Sequence, residues 1–184
     1  MSEPGNSMET LPSPFRFCPH CGVPGGEWRD GHEFRCLVCG FRFFQNVAAA
    51  CGVLIGHQGR FLFLERAKEP SRGLLGLAGG FVDPGEGVEQ ALAREVAEEI
   101  GGTVGPATFL ASFPNRYLFA GVSYTTCDLY FQASLNCDPD SLRIDPVEVK
   151  SLHWLEPRQV RSELLAFPSL KALWVSLLES GYSR

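Results

Sequence analysis

Apolar positions fall first into two short runs, residues 47–55 and 61–64, with His57, Gln58 and Gly59 between them. Runs of that length bounded by a turn predict two strands of a buried sheet. Residues 109–113 and 123–133 predict two more, with Pro114 and Asn115 marking a turn after the first. A polar, turn-rich loop over 136–145 is followed by residues 147–155, which alternate enough to bury one face of a last strand. Residues 157–181 place Leu170, Leu173, Trp174, Leu177 and Leu178 at helical spacing and predict a packing helix that ends at Gly181. The other helical stretch lies within residues 80–102, GFVDPGEGVEQALAREVAEEIGG. At about 100° per residue, Leu92, Val96 and Ile100 share a face that can turn to a core, and Glu95, Glu98 and Glu99 line the neighbouring face. Asp83-Pro84-Gly85 favours the turn that opens this segment, and Gly101-Gly102 suits the left-handed conformation that closes a helix. Strands on both sides of one helix, with a second helix at the end, predict an α/β fold.

The amino-terminal part follows a different pattern. Residues 1–15 contain Ser, Pro, Gly and Asn without periodicity and predict a disordered tail. Residues 16–44 carry Cys18-Pro19-His20-Cys21-Gly22 and Cys36-Leu37-Val38-Cys39-Gly40. Two such pairs match two metal knuckles that together offer four thiolates to a tetrahedral Zn²⁺. A disulfide framework is the alternative, which a cytosolic setting disfavours, and the repeated spacing argues against coincidence. With four cysteines filling the site, His20 is left a bystander. Asp30-Gly31 predicts a hairpin turn between Trp28-Arg29 and Glu33-Phe34-Arg35, so the segment reads as a zinc ribbon whose metal is structural and supplies much of its folding energy. Residues 45–184 form the main domain.

Composition bounds the function. The chain of 184 residues has room for one ordinary domain with a proper core and a small appendage. Its 16 basic and 21 acidic residues give a formal charge of −5, so general nucleic-acid binding, which relies on clustered Lys and Arg, is not expected. A nucleotide substrate stays open, because metal can meet its charge. No apolar run reaches the length of a membrane span and the first 15 residues lack the blocks of a secretory signal, which makes the cytoplasm the expected compartment. Cys51 and Cys127 fall in expected strands as small buried residues, and no His is placed to activate them or Cys137 as a nucleophile.

A row of glutamates on a helix is ordinarily a solvated face, and Arg94 can pair with Glu98 four residues on. Here the spacing argues for more: Gly80, five residues, Glu86, seven residues, then Arg94-Glu95-Val96-Ala97-Glu98-Glu99-Ile100-Gly101. This resembles the signature box of the Nudix hydrolases, with Gly102 standing where the family pattern has an aliphatic residue. The resemblance implies an α/β/α sandwich with a mixed sheet, and Mg²⁺ or Mn²⁺ held by Glu95, Glu98 and Glu99. It implies that Arg94 orients the carboxylates, that Glu86 and Gly80 fix the loop, and that catalysis rests on this cluster. Such ions offset the negative charge of a pyrophosphate, polarise a phosphoryl oxygen and ease deprotonation of a water.

Other positions are matched more loosely. Glu148, six residues before Trp154, resembles a downstream glutamate that some relatives use as a further ligand or base, and Arg66 resembles a basic residue found after the second strand. Ala78 stands where relatives commonly have proline. Phe113, Tyr117 and Tyr124 are candidates for stacking on a base or flavin ring, although aromatics in strands more often serve the core. Asp128, an acid inside a strand, reads as a structural hydrogen-bonding group or a metal ligand. Together, box and ribbon resemble the branch of NADH, FAD and ADP-ribose pyrophosphatases. The chain lacks the Ser-Gln-Pro-Trp-Pro-Phe-Pro run of the NADH enzymes; Ser112-Phe113-Pro114-Asn115 occupies about its place. The expectation is a hydrolase of small-molecule dinucleotides or nucleoside diphosphate derivatives. A nucleotide sensor without catalysis and a hydrolase of NAD-capped RNA are its rivals. Dimers are common among relatives, which makes a homodimer the assembly to test.

Overall fold

The computed structural model describes residues 15–119 and 122–181, so the expected tail lies outside the described residues except for Phe15. The chain divides into two compact units between Asn46 and Val47. In the first, β1 (Glu27–Arg29) and β2 (Glu33–Arg35) form the expected antiparallel hairpin. Asp30 and Gly31 turn it with φ of 48° and 70°. A third strand, β3 (Arg42–Phe44), pairs with β2; at three residues it is too short to show a period in the sequence. Phe34, Cys18 and Cys36 are buried at the centre. The Phe15 ring meets Phe34 and Phe43 edge-on, at centroid distances of 5.3 and 5.0 Å.

The second unit is built on β4 (Ala48–His57) and β5 (Arg60–Arg66), joined by Gln58 and Gly59, both at positive φ as a tight hairpin turn requires. The two strands pair only next to the turn, at Gly56↔Phe61 and His57↔Arg60, and then part. β5 goes on to pair with β6 (Leu75–Gly76) and with β9 (Val149–Leu155), both antiparallel. β4 runs parallel to β8 (Val122–Ala133), which pairs antiparallel with β7 (Thr108–Phe119). Into the opening beside β4 comes the segment 78–82. Val53 and Cys51 donate to the carbonyls of Ala78 and Gly80 at 2.9 and 2.8 Å, and Val82 donates to Ala49 at 3.0 Å.

Helices cover both faces of this mixed sheet. α1 (Val88–Ile100) buries Ala91, Leu92, Val96 and Ile100 against Val53, Ile55, Leu62 and Phe131. α2 (Pro168–Glu179) buries Leu170, Leu173, Trp174 and Leu177 against Leu54, Phe63 and Tyr130. The result is the expected α/β/α sandwich. Among the described residues no helix is long and apolar enough to cross a membrane.

Three sequence expectations need correction. Pro114 and Asn115 do not turn the chain; they lie inside β7, opposite Cys127 and Thr126. β7 is the edge of the sheet, the place in a sheet where proline is tolerated because alternate N–H groups face away from the ladder. The closing helix begins at Pro168, not near residue 157, because the intervening chain forms the 3₁₀ turns Pro157–Gln159 and Ser162–Leu164; proline is well tolerated in a first helical turn. The last strand begins at Val149, which leaves Glu148 in the turn before it.

Candidate active site

The packing of α1 decides where its charges go. With Leu92, Val96 and Ile100 committed to the core, Glu95 and Glu99 are drawn toward the sheet while Glu98 stays in solvent. Gly87 opens the helix with its N–H on Gln90 Oε1 at 2.7 Å, and Gly101 closes it at φ 61°. Glu99 is buried, and its Oε2 accepts the Gly79 N–H at 3.0 Å. Burial pushes its carboxyl up to about 8, against the pull of that amide, and burial likewise raises Glu95.

Arg94 ties the acidic groups together. Its Nε and Nη2 clasp both oxygens of Glu86 at 2.7 and 3.1 Å, Nη1 donates to Glu95 at 2.8 Å and to Glu98 at 3.1 Å, and Nη2 also reaches the Phe81 carbonyl at 3.0 Å. These contacts raise its own pKa further, Glu86 contributing most. Glu86 in turn accepts the Asp83 N–H, closing the loop that leads into the helix. Gly80 gives Glu95 its place, since a Cβ there would lie 2.4 Å from Glu95 Oε1.

A cavity of about 410 Å³ opens over these carboxylates. It brings together Gly80, Arg94, Glu95, Glu98 and Glu99 with Glu148, Arg66 and Tyr117. Glu148 is held by Lys68 Nζ, and its carbonyl accepts the Ala67 N–H at 2.8 Å. Arg66 donates from Nε to the Pro70 carbonyl at 2.8 Å and lies over the Phe167 ring at 4.9 Å; its Nη2 is buried without a partner among the described residues. Two of the expected aromatics stand elsewhere. Phe113 packs into the cluster under α2, and Tyr124 is exposed at 6.3 Å from Phe81, outside the lining. Two rings that line the cavity stand next to Tyr117: Phe81, at 5.5 Å from it, and Phe167, at 5.9 Å. Neither was a sequence candidate. Phe81 sits inside the box and could have been read as facing the site; Phe167 comes from a distant stretch and gives no local signal.

Two donor sets offer themselves to a metal. The Sγ atoms of Cys18, Cys21, Cys36 and Cys39 lie within 4.8 Å of one another, with Cys18–Cys39 and Cys21–Cys36 both at 3.7 Å. A tetrahedron with Zn–S bonds of about 2.3 Å has edges of about 3.8 Å, so the cysteines fit zinc. The Cys39 amide, pointing at Cys36 Sγ, helps to hold that thiol down to about 6. Among the described residues no three carboxylates converge as closely. Their chemistry suits Mg²⁺ or Mn²⁺ nonetheless, because Mg²⁺ keeps several waters and shares its remaining ligands with phosphates.

A layered sheet with a carboxylate-bearing helix at a cavity mouth defines a Nudix domain. The model of the NUDIX domain matches residues 45–175, and the chain belongs to this family. The chain is 35% identical over 103 residues to the NAD-capped RNA hydrolase NudC of Stutzerimonas stutzeri, an alignment covering 56% of this chain and 37% of that protein. It is 32% identical over 112 residues to NudC of Chromobacterium violaceum, covering 59% and 42%. The chain thus matches less than half the length of these relatives. Among solved structures, a NUDIX hydrolase from Nitrosomonas europaea superposes with a TM-score of 0.67 at 20% identity, covering 91% of this chain and 93% of that one. The NUDIX domain of Shewanella oneidensis NrtR, solved with ADP ribose, gives 0.58 at 22% identity, covering 74% and 90%. At those identities the structures speak to the fold.

Proposed function

We propose that the chain is a Mg²⁺- or Mn²⁺-dependent pyrophosphohydrolase that cleaves a dinucleotide or nucleoside diphosphate derivative into mononucleotides. The observation that carries this is one cavity holding Glu95, partly buried, and Glu99, buried, both with raised pKa values, together with the rings of Phe81, Tyr117 and Phe167. Buried carboxylates in want of a cation next to flat apolar surfaces match a ligand with a charged diphosphate and a planar ring. When bound, the ion supplies Lewis-acid polarisation of the phosphoryl oxygen and eases deprotonation of a water.

The chain's own residues do the rest. Glu95, Glu98 and Glu99 are the metal ligands, with Glu148 a further ligand or base. Arg94 keeps three carboxylates pointed the same way, a task for a planar fork that lysine lacks. Arg66 Nη2 offers a buried donor to a phosphate oxygen, and Tyr117 with Phe81 and Phe167 flanks the ring. Zn²⁺ on the four cysteines is structural, and the domain limits are residues 16–44 and 45–184.

The names of the relatives support the same bond cleavage on NAD-capped RNA as a second reading. Hydrolysis of NADH, NAD, FAD, ADP-ribose, dinucleoside polyphosphates, nucleoside triphosphates and NAD-capped RNA, beside Glu98→Gln, tests both. The proposal expects metal-dependent release of a mononucleotide that the variant loses. Tight binding without cleavage would instead make the chain a sensor.

A further inference from the structure

Behind the aromatic rings, the cavity wall contains a polar network that the phosphate chemistry does not use. Asn115, Thr126, Asp128 and Ser169 are all more than nine-tenths buried. Asp128 is the hub: it accepts from Thr126 Oγ1 at 2.6 Å, from Ser169 Oγ at 2.6 Å and from Asn115 Nδ2 at 2.8 Å. Because Ser169 gives its proton to the carboxylate, its oxygen is left to accept from the Tyr130 hydroxyl at 2.8 Å. Burial raises the Tyr130 phenol above its ordinary range, so that hydroxyl keeps its proton. Gly52 makes room for the Tyr130 ring, which a Cβ there would meet at 3.2 Å.

One consequence concerns Asn115. Its amide nitrogen is committed to Asp128, which turns the oxygen the other way, and Oδ1 is buried with no partner among the described residues. A buried acceptor left without a donor is costly, and native structures rarely keep one without a use. Asn115, Asp128 and Tyr130 line the same cavity as the carboxylates, with Phe167 and Tyr117 beside them. Ala50 of β4 pairs with Asp128 on one side and bridges Phe81 on the other, so the network lies about 10 Å, two strand spacings, from the glycine segment next to Glu95. A nucleotide spans such a separation between its phosphate and the far edge of its ring.

We infer that Asn115, oriented by Asp128, is a specificity-determining residue whose Oδ1 accepts a hydrogen bond from an exocyclic NH₂ group on the substrate's planar ring. The inference rests on the proposed hydrolase in that both use one cavity. In NAD two groups carry this chemistry, the amine of adenine and the carboxamide of nicotinamide. Rings that bear only a carbonyl at that place leave Oδ1 unpaired and set two acceptors against each other.

The test compares NAD with two analogues that each lack one NH₂: nicotinamide hypoxanthine dinucleotide, with oxygen in place of the adenine amine, and 3-acetylpyridine adenine dinucleotide, with methyl in place of the amide nitrogen. On the full wild-type chain with Mg²⁺, kcat/KM is expected to fall about 10- to 100-fold for one analogue and to change little for the other, which identifies the ring that Asn115 reads. In Asn115→Ala the three substrates should converge to within about threefold, through a loss on NAD. Calorimetric binding of the same three compounds separates the two readings. The same ranking in affinity without any cleavage sinks the hydrolase and keeps Asn115 as the reader. Equal handling of all three by the wild-type chain, no binding of any of them, or discrimination undiminished in Asn115→Ala overturns the inference.

Discussion

Glu95 occupies the space that a side chain on Gly80 would fill: a Cβ there would come within 2.4 Å of Oε1 and 2.8 Å of Cδ. The clash is with the end of a side chain, and Gly80 does not have a left-handed φ, so the backbone accepts alanine. Gly80→Ala should therefore displace Glu95 and lower kcat/KM on the order of 100-fold, with the melting temperature nearly unchanged. Gly79 differs in kind, since its Cβ would lie 2.1 Å from the Cys51 carbonyl oxygen and its φ is 150°. Gly79→Ala should cost about 3 kcal/mol or more of stability. Thermal denaturation beside kinetics checks the pair; equal melting losses in both variants would contradict the assignment of Gly80 to Glu95.

Arg94 reaches Glu86, Glu95, Glu98 and the Phe81 carbonyl at once. A lysine keeps the charge but offers one ammonium in place of a rigid fork. Arg94→Lys is expected to lower kcat/KM by about 100-fold while the apparent Mg²⁺ requirement rises, because the carboxylates lose their common orientation. Full activity in Arg94→Lys would mean that charge alone suffices there.

Much of this was legible in the sequence where a local pattern carries the information. The period of Leu92, Val96 and Ile100 identified the buried side of α1, and with it the side left to the glutamates. The paired Cys-x-x-Cys spacing located a cluster that the structure brings together. What escaped depends on neighbours remote in the chain. A proline reads as a turn until the strand that holds it is known to be an edge, as with Pro114. Phe113 and Tyr117 share a strand face, but where α2 ends along that face decides which ring packs and which lines the cavity. Asp128 was legible as an oddity; its partners Asn115 and Ser169 stand 13 and 41 residues away, beyond any local pattern.

Glu99 gives the metal-free protein a defined pH response. Its folded pKa of about 8 stands above the ordinary 4.5, so between those values the folded state holds a proton that the unfolded state has released. Stability from this group is fully present below about pH 4.5 and is lost as pH rises through 8. The melting temperature without divalent ions should fall by several degrees between pH 5 and pH 8, and Glu99→Gln should flatten the trend. Added Mg²⁺ should stabilise more at pH 8 than at pH 6 and release protons on binding, measurable by calorimetry in buffers of different ionisation enthalpy. A melting temperature that rises over that range in both proteins would contradict the buried, protonated carboxyl.

The first unit has little besides its cysteines to hold it. Among its described residues the buried ones are Cys18, Phe34 and Cys36, with Phe15, Val23, Trp28 and Phe41 packed around them, a core far too small for a free-standing fold. A metal ion on four thiolates at tetrahedral spacing would supply what that core cannot. The purified chain is expected to carry about one zinc, and its removal by a chelator should release residues 16–44 to full amide exchange while α1 keeps its protection. Cys36→Ser should do the same without chelator, since Cys36 is completely buried and bonded to the Cys39 amide. Hydrogen exchange followed by mass spectrometry reads both units at once. Protection of residues 16–44 that survives complete loss of metal would show that the ribbon folds by its aromatic packing alone.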